Sequence, residues 1–195
     1  MLHPVRVVVT DASVLINFAW IGRFDLLGEL DGLEFLVPQQ VFAEVSYPAH
    51  KLLLRQAVDS GWLVVAEAST AELAEAARIV RTEFLDAGEA ECLAMASVRG
   101  FLIACDETNS RFRRVQQKLL GVKRCLTTVD LIVACLDREL ISINEADGFL
   151  AIWSAQRFRL PFASFAERWT PKDEPDGVAE GNLGEWPRLM AIYTF

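Results

Sequence analysis

VRVVVTD at residues 5–11 and FLIACDE at residues 101–107 decide how this chain is read. Each is a short apolar run followed directly by an acid, Asp11 in the first and Asp106 in the second. A nearly uninterrupted apolar run of this length reads as a strand buried on both faces, which is the habit of a parallel sheet. A helical pattern follows each run, so both aspartates stand where a strand gives way to a helix. In parallel α/β sheets, ligands collect outside the carboxyl ends of the strands. Two carboxylates placed there concentrate negative charge, which at neutral pH calls for a cation to offset it.

Working outward, the pattern predicts alternating strands and helices. A helix is expected from Asp11 or Ala12 to about Trp20, ended by Gly22, then a short amphipathic helix over residues 23–30. Residues 33–37 read as a second strand, and Pro38 suits the first position of a helix running to Val45. A helix after Pro48 should end at Gly61, before a strand over 62–65. Residues 70–85 carry early Glu and late Arg, in keeping with the helix macrodipole. Asp86-Ala-Gly-Glu89 is a capping box opening a helix to about Val98. Further helices are expected over 107–120, 127–140 and, capped by Asn144, to about 157, with a short strand at 122–126. The fold class that results is α/β, three layers in α/β/α order around a mostly parallel sheet of four to five strands.

The chain has 195 residues, 52% of them hydrophobic, enough for one domain with a sizeable core. Residues 1–157 form that domain in this reading. Residues 158–195 form an extension, with an acidic Pro/Gly-rich linker at about 170–184 (TPKDEPDGVAEGNLG) and an apolar end, EWPRLMAIYTF, expected to dock on the domain or a second subunit. No apolar run reaches the roughly 18 residues needed to span a bilayer, and no signal peptide is evident, so a cytoplasmic protein is expected. The four cysteines are dispersed among apolar residues, as buried thiols would be, and the only histidines are His3 and His50. Chemistry that needs a histidine base or a His-rich zinc site has little support. The net charge of −8 argues against a general nucleic-acid binder. Residues 101–125 nevertheless hold Arg111, Arg113, Arg114, Lys118, Lys123 and Arg124 against two acids, Asp106 and Glu107.

Each acid has a simple structural explanation when taken alone. Asp11 and Asp106 can cap helices. Glu44 can be a solvated helix residue, and Glu89 the partner of Asp86. Glu91 points to another side of the same helix as Glu89 and competes with it for any functional role.

Taken together, DASVLINFA, VPQQVFAEV, DAGEAECLAMA and FLIACDE occur in an order and spacing that resemble the PIN-domain (PilT N-terminus) nucleases. The resemblance covers about residues 5–155 and is closest to the compact prokaryotic branch containing the VapC-type toxins. It implies a metal-dependent ribonuclease in which Asp11, Glu44, Glu89 and Asp106 are the catalytic and metal-binding acids, with Glu91 as the alternative third acid. Ser13 matches the hydroxyl residue that helps orient the carboxylates, while Cys105 stands where many members carry a hydroxyl residue. The resemblance also implies a small antitoxin as partner and a homodimer. An antitoxin would need an apolar groove; Phe18, Trp20, Ile21 and Phe24 are candidates for it, or else core.

The residue types fit that chemistry independently. Carboxylates are hard oxygen ligands suited to Mg²⁺ or Mn²⁺, which can activate water and offset charge on a phosphodiester. Arg111, Arg113, Arg114 and Lys118 are the candidate RNA contacts, or alternatively a solvated helix face. Two other classes compete. One is a PIN-like protein-binding module with weak or no hydrolysis. The other is a phosphoreceiver domain, which would need an acceptor Asp after the third strand and a later Lys, neither of which is present.

Overall fold

The computed structural model describes residues 6–121 and 124–170. The apolar end segment and nearly all of the acidic linker lie outside the described residues, as do His3 and Lys123. The elements are β1 (Arg6–Thr10), α1 (Ala12–Trp20), α2 (Asp25–Gly28), β2 (Leu33–Pro38), α3 (Gln39–Glu44), α4 (Pro48–Asp59), β3 (Leu63–Ala66), α5 (Thr70–Glu83), α6 (Ala87–Arg99), β4 (Leu102–Ala104), α7 (Ser110–Leu120), β5 (Cys125–Leu126), α8 (Thr128–Asp137) and α9 (Ile143–Ala155).

The strands form one five-stranded sheet in the order β3-β2-β1-β4-β5, with every pairing parallel. Val8, Val9, Phe35, Val37 and Ile103 are sealed inside it, as expected for strands covered on both faces. One helical layer is α6, which lies across β1, β2 and β4 and is backed by α5. The other contains α1, packed with α8 and α9. This is the expected three-layer α/β/α architecture.

Strand order dictates where a site can form. From β1 the chain winds outward through β2 to β3, then returns across the sheet to β4 and winds the other way to β5. The switch point lies between β1 and β4, and a crevice opens there outside the strands' carboxyl ends. Register fixes the pair: Thr10 stands opposite Ala104, and the Asp11 N–H donates to Ala104 O at 3.0 Å.

Several boundaries depart from expectation for local reasons. Pro38 is the last residue of β2 and the N-cap of α3, in an extended conformation, rather than its first helical residue. Helix α7 starts at Ser110, not Glu107, because the Asn109 side chain accepts the Arg111 N–H and the Glu107 side chain accepts the Asn109 N–H. Such bonds compete with a helical first turn. Helix α8 stops at Asp137, where Glu139 turns left-handed (φ 57°) and the Leu140 N–H reaches back to Cys135 O. Ser142, not Asn144, caps α9 by accepting the Glu145 N–H.

Residues 158–169 are fixed to the helices before them. Phe165 is fully buried against Trp153, and Phe158 meets Trp153 edge-on at 5.6 Å. Asp147 accepts from the Phe165 N–H and from Ser164 Oγ, at 2.7 and 2.8 Å, and the Trp169 indole donates to Asp137. No helix among the described residues is long and apolar enough to cross a membrane. Phe18, Ile21 and Phe24 are core, while half-buried Trp20 packs against the rings of Tyr47 and His50.

Candidate active site

The two strand-end aspartates meet at the switch point through Ser13. Asp11 caps α1: its Oδ2 accepts the Ser13 hydroxyl at 2.8 Å and the Ser13 N–H at 3.3 Å. The same hydroxyl oxygen accepts the Asp106 N–H at 3.3 Å. One side chain thus positions one carboxylate and the backbone of the other. The Cys105 thiol also donates to Asp11 Oδ2, at 3.6 Å, so a thiol supplies the contact expected of a hydroxyl at that position.

Asp106 is held more firmly. Its Oδ1 accepts the Thr128 N–H at 2.8 Å; its Oδ2 accepts the Thr128 hydroxyl and the Asn17 amide, the latter at 2.9 Å. Burial pushes its pKa up, the Thr128 and Asn17 bonds pull it down, and the Asp11 charge adds to the rise. Asp130 lies close by, accepting the Thr127 N–H and hydroxyl at 2.7 Å each, and burial pushes its pKa up to about 6.

Helix α6 brings the remaining acids. The Glu89 carboxylate accepts the Asp86 N–H at 3.2 Å, closing the expected capping box. Its pKa is raised by burial and by the charges of Glu107, Asp86 and Asp11, which places it on the Asp11 side. Glu91 faces the other way, is buried, and takes part in no hydrogen bond or ion pair. Its pKa is raised by burial, then by Glu44 and Glu72. Exposed Glu44 lies against the start of α6: a Cβ on Gly88 would stand 2.9 Å from Glu44 Oε2. Beneath all of them is Cys92, whose thiol donates to Thr10 O. Burial pushes that thiol well above its usual range, assisted by the charges of Asp11, Glu91, Glu44 and Glu89. Asp11, Glu44, Glu89 and Glu91 thus all bear on Cys92 of α6, while Asp106 is linked to this group through Asp11.

The cations expected to touch RNA separate. Arg113 lines a cavity of about 750 Å³ beside Asp106. Arg111 instead donates to Phe84 O and lies over the Phe84 ring, while Arg114 and Lys118 sit 3.8 Å from Glu83 on α5. Asn17, Thr128 and Asp130 were not singled out from sequence as site residues. A signal existed for each: an amide inside the apolar helix ASVLINFAW, and the capping pattern Thr127-Thr-Val-Asp130.

A divalent ion can be weighed against this donor set. Among the described residues, no cation is paired with Asp11, Glu44, Glu89, Glu91 or Asp106. Carboxylates that repel one another suit a hard cation. Among the described residues, however, no three His, Cys, Asp or Glu side chains are already drawn together into a cage. Rotation of side chains, Glu89 out of its cap in particular, would accompany binding.

The five-stranded parallel sheet between helical layers is that of a PIN domain, a nuclease-type fold. The chain matches the PIN-domain family DUF3368 over residues 7–167 and belongs to it. PIN domains are generally nucleases, and so act on nucleic acid. The chain matches no curated protein.

Proposed function

We propose that this chain is a metal-dependent endoribonuclease that hydrolyses RNA phosphodiester bonds, and that it is the toxin of a toxin–antitoxin pair. The observation that carries the reading is the pair Asp11 and Asp106, tied through Ser13 at the switch point, with Glu44, Glu89 and Glu91 close to Cys92 of the neighbouring helix α6. Mg²⁺ or Mn²⁺ held there would supply charge neutralisation and a more acidic water.

Asp11, Glu44, Glu89 or Glu91, and Asp106 are the residues proposed to hold the ion. Glu91 has a claim to the third place through its burial beside Glu44, Glu89 through its closeness to Asp11. Ser13, Asn17 and Thr128 would hold the two aspartates in place for the ion. Arg113 is placed to meet a phosphate, offsetting the repulsion that acids alone would exert on RNA. The resemblance to VapC-type toxins extends the proposal to a cytoplasmic homodimer restrained by a small antitoxin protein.

The test is cleavage of single-stranded and structured RNA with Mg²⁺ or Mn²⁺, comparing the natural chain with Asp11→Asn. A rate loss of at least about 100-fold with an unchanged melting curve is expected. Equal cleavage by both would remove the site. Calorimetry showing no Mn²⁺ binding at millimolar concentration would favour a PIN-like protein-binding module instead.

A further inference from the structure

We propose that residues 157–168 form the second wall of a groove for single-stranded nucleic acid, with Arg157 and Arg159 gripping the phosphate backbone opposite Arg113. The inference rests on the nuclease reading of the acid cluster and adds to it the path the substrate takes.

The cavity beside Asp106 carries the argument. It opens at the carboxyl ends of β4 and β5, where Asp106 and Glu107 contribute the acidic end. Arg113 lines it from α7, and Arg157, Arg159 and Arg168 line it from the segment after α9. Arg168 is half-buried, stacks over Phe162 at 5.1 Å, and its charge bears on Asp130. Arg113, Arg157 and Arg159 are exposed and, among the described residues, engage in no ion pair or side-chain hydrogen bond. In a chain of net charge −8, these guanidinium groups around one cavity give a local positive field that can draw in an anionic chain.

The wall is built to stay in place. Phe165 is sealed beneath it, Phe162 and Phe165 meet at 5.2 Å, and Asp147 ties Ser164 and Phe165 to α9. Arg157 occupies the left-handed region (φ 66°) at the end of α9, where the Phe158 N–H returns to Trp153 O. A non-glycine there costs on the order of 1 kcal/mol, yet an arginine occupies it and lines the cavity.

A phosphodiester chain fits better than an acidic peptide. The cations share the cavity wall with the half-buried rings of Phe158 and Phe162, and cations beside aromatic rings suit phosphates followed by unpaired bases. Phosphates would be gripped by these arginines while the scissile one approaches the carboxylates.

The test uses the full chain and a fluorescent 12-nucleotide single-stranded RNA, followed by anisotropy without divalent metal across a salt series. Arg157→Asn, whose side chain tolerates left-handed backbone, is combined with Arg159→Ala. Arg55→Ala, on α4 at the β3 edge, is the control. The double variant is expected to weaken binding about tenfold and to lower the log–log salt slope by about 1.4, with an unchanged melting temperature. The control should bind as the natural chain does. If the double variant binds with natural affinity and slope while Asp11→Asn still abolishes cleavage, the groove runs elsewhere and the nuclease reading stands. If the natural chain neither binds nor cleaves RNA, both fall. Capture of an acidic peptide at this cavity without competition by RNA would also overturn the proposal.

Discussion

Thr128 gives both its backbone N–H and its hydroxyl to the carboxylate of Asp106, so the start of α8 and the end of β4 share one hydrogen-bonded knot. Thr128 is fully buried and Asp106 half-buried, so neither bond is easily replaced by water. The carboxylate keeps its outward lone pairs while its rotation is fixed.

Thr128→Val keeps the backbone bond and removes the hydroxyl. We expect a stability loss of about 1–2 kcal/mol, a tenfold or so fall in cleavage rate as Asp106 loosens, and recovery of both in Thr128→Ser. Denaturant melts alongside initial rates check this. Natural rates in Thr128→Val would show that the hydroxyl does not position the acid.

Gly88→Ala separates activity from stability. Alanine favours a helix over glycine by up to about 1 kcal/mol, but its Cβ would stand 2.9 Å from Glu44 Oε2. The expected result is a melting temperature held or raised, with Mn²⁺ affinity and cleavage lowered because Glu44 is displaced. Unaltered Mn²⁺ affinity would place Glu44 outside the ligand set.

Asp130 predicts a pH signature. Its folded pKa is raised from 3.8 to about 6, so the native state holds a proton that the unfolded chain has already released. Its burial therefore disfavours the fold increasingly as pH rises from about 4 to about 6, and levels off above. Asp130→Asn can still accept one Thr127 bond and carries no charge. Its melting temperature relative to the natural chain should climb across that window, and a flat difference would refute the assignment.

Arg99 clamps buried Glu72 through Nε and Nη2, at 2.5 and 2.9 Å, and holds its pKa down at about 2. Removing the guanidinium in Arg99→Ala strands a carboxylate that is 1% exposed. A loss of about 3 kcal/mol is expected at pH 7. The deficit should shrink as pH falls from about 4.5 toward 2, where the natural pair also loses its charge. Because Glu72 lies near Glu91, the same variant reports on the acid cluster.

Much of this architecture is legible in the chain because strong local signals agree with it. The runs before Asp11 and Asp106 are β1 and β4, and the Asp86–Glu89 pattern does open α6. Register between β1 and β4 is not written in either strand, yet it is what brings Asp11 beside Asp106. Helix starts at 110 and 143 escape the reading because Asn109 and Ser142 win by side-chain bonds that differ little in strength from their rivals. The contacts of Asp106 with Asn17 and Thr128 bridge 89 and 22 residues of chain, so no local pattern pairs them. Nor does spacing along α7 reveal that Arg111 turns to Phe84 while Arg113 faces the cavity.

Thr10 and Ala104 are partners on neighbouring strands, so the gap between the first and last acid is inherited from the sheet's own ladder of roughly 4.8 Å. Loops, helix lengths and the chain after α9 can drift without touching that dimension. The invariant part of such a centre is carried by peptide groups, leaving the surrounding side chains open to change in whatever the crevice accepts.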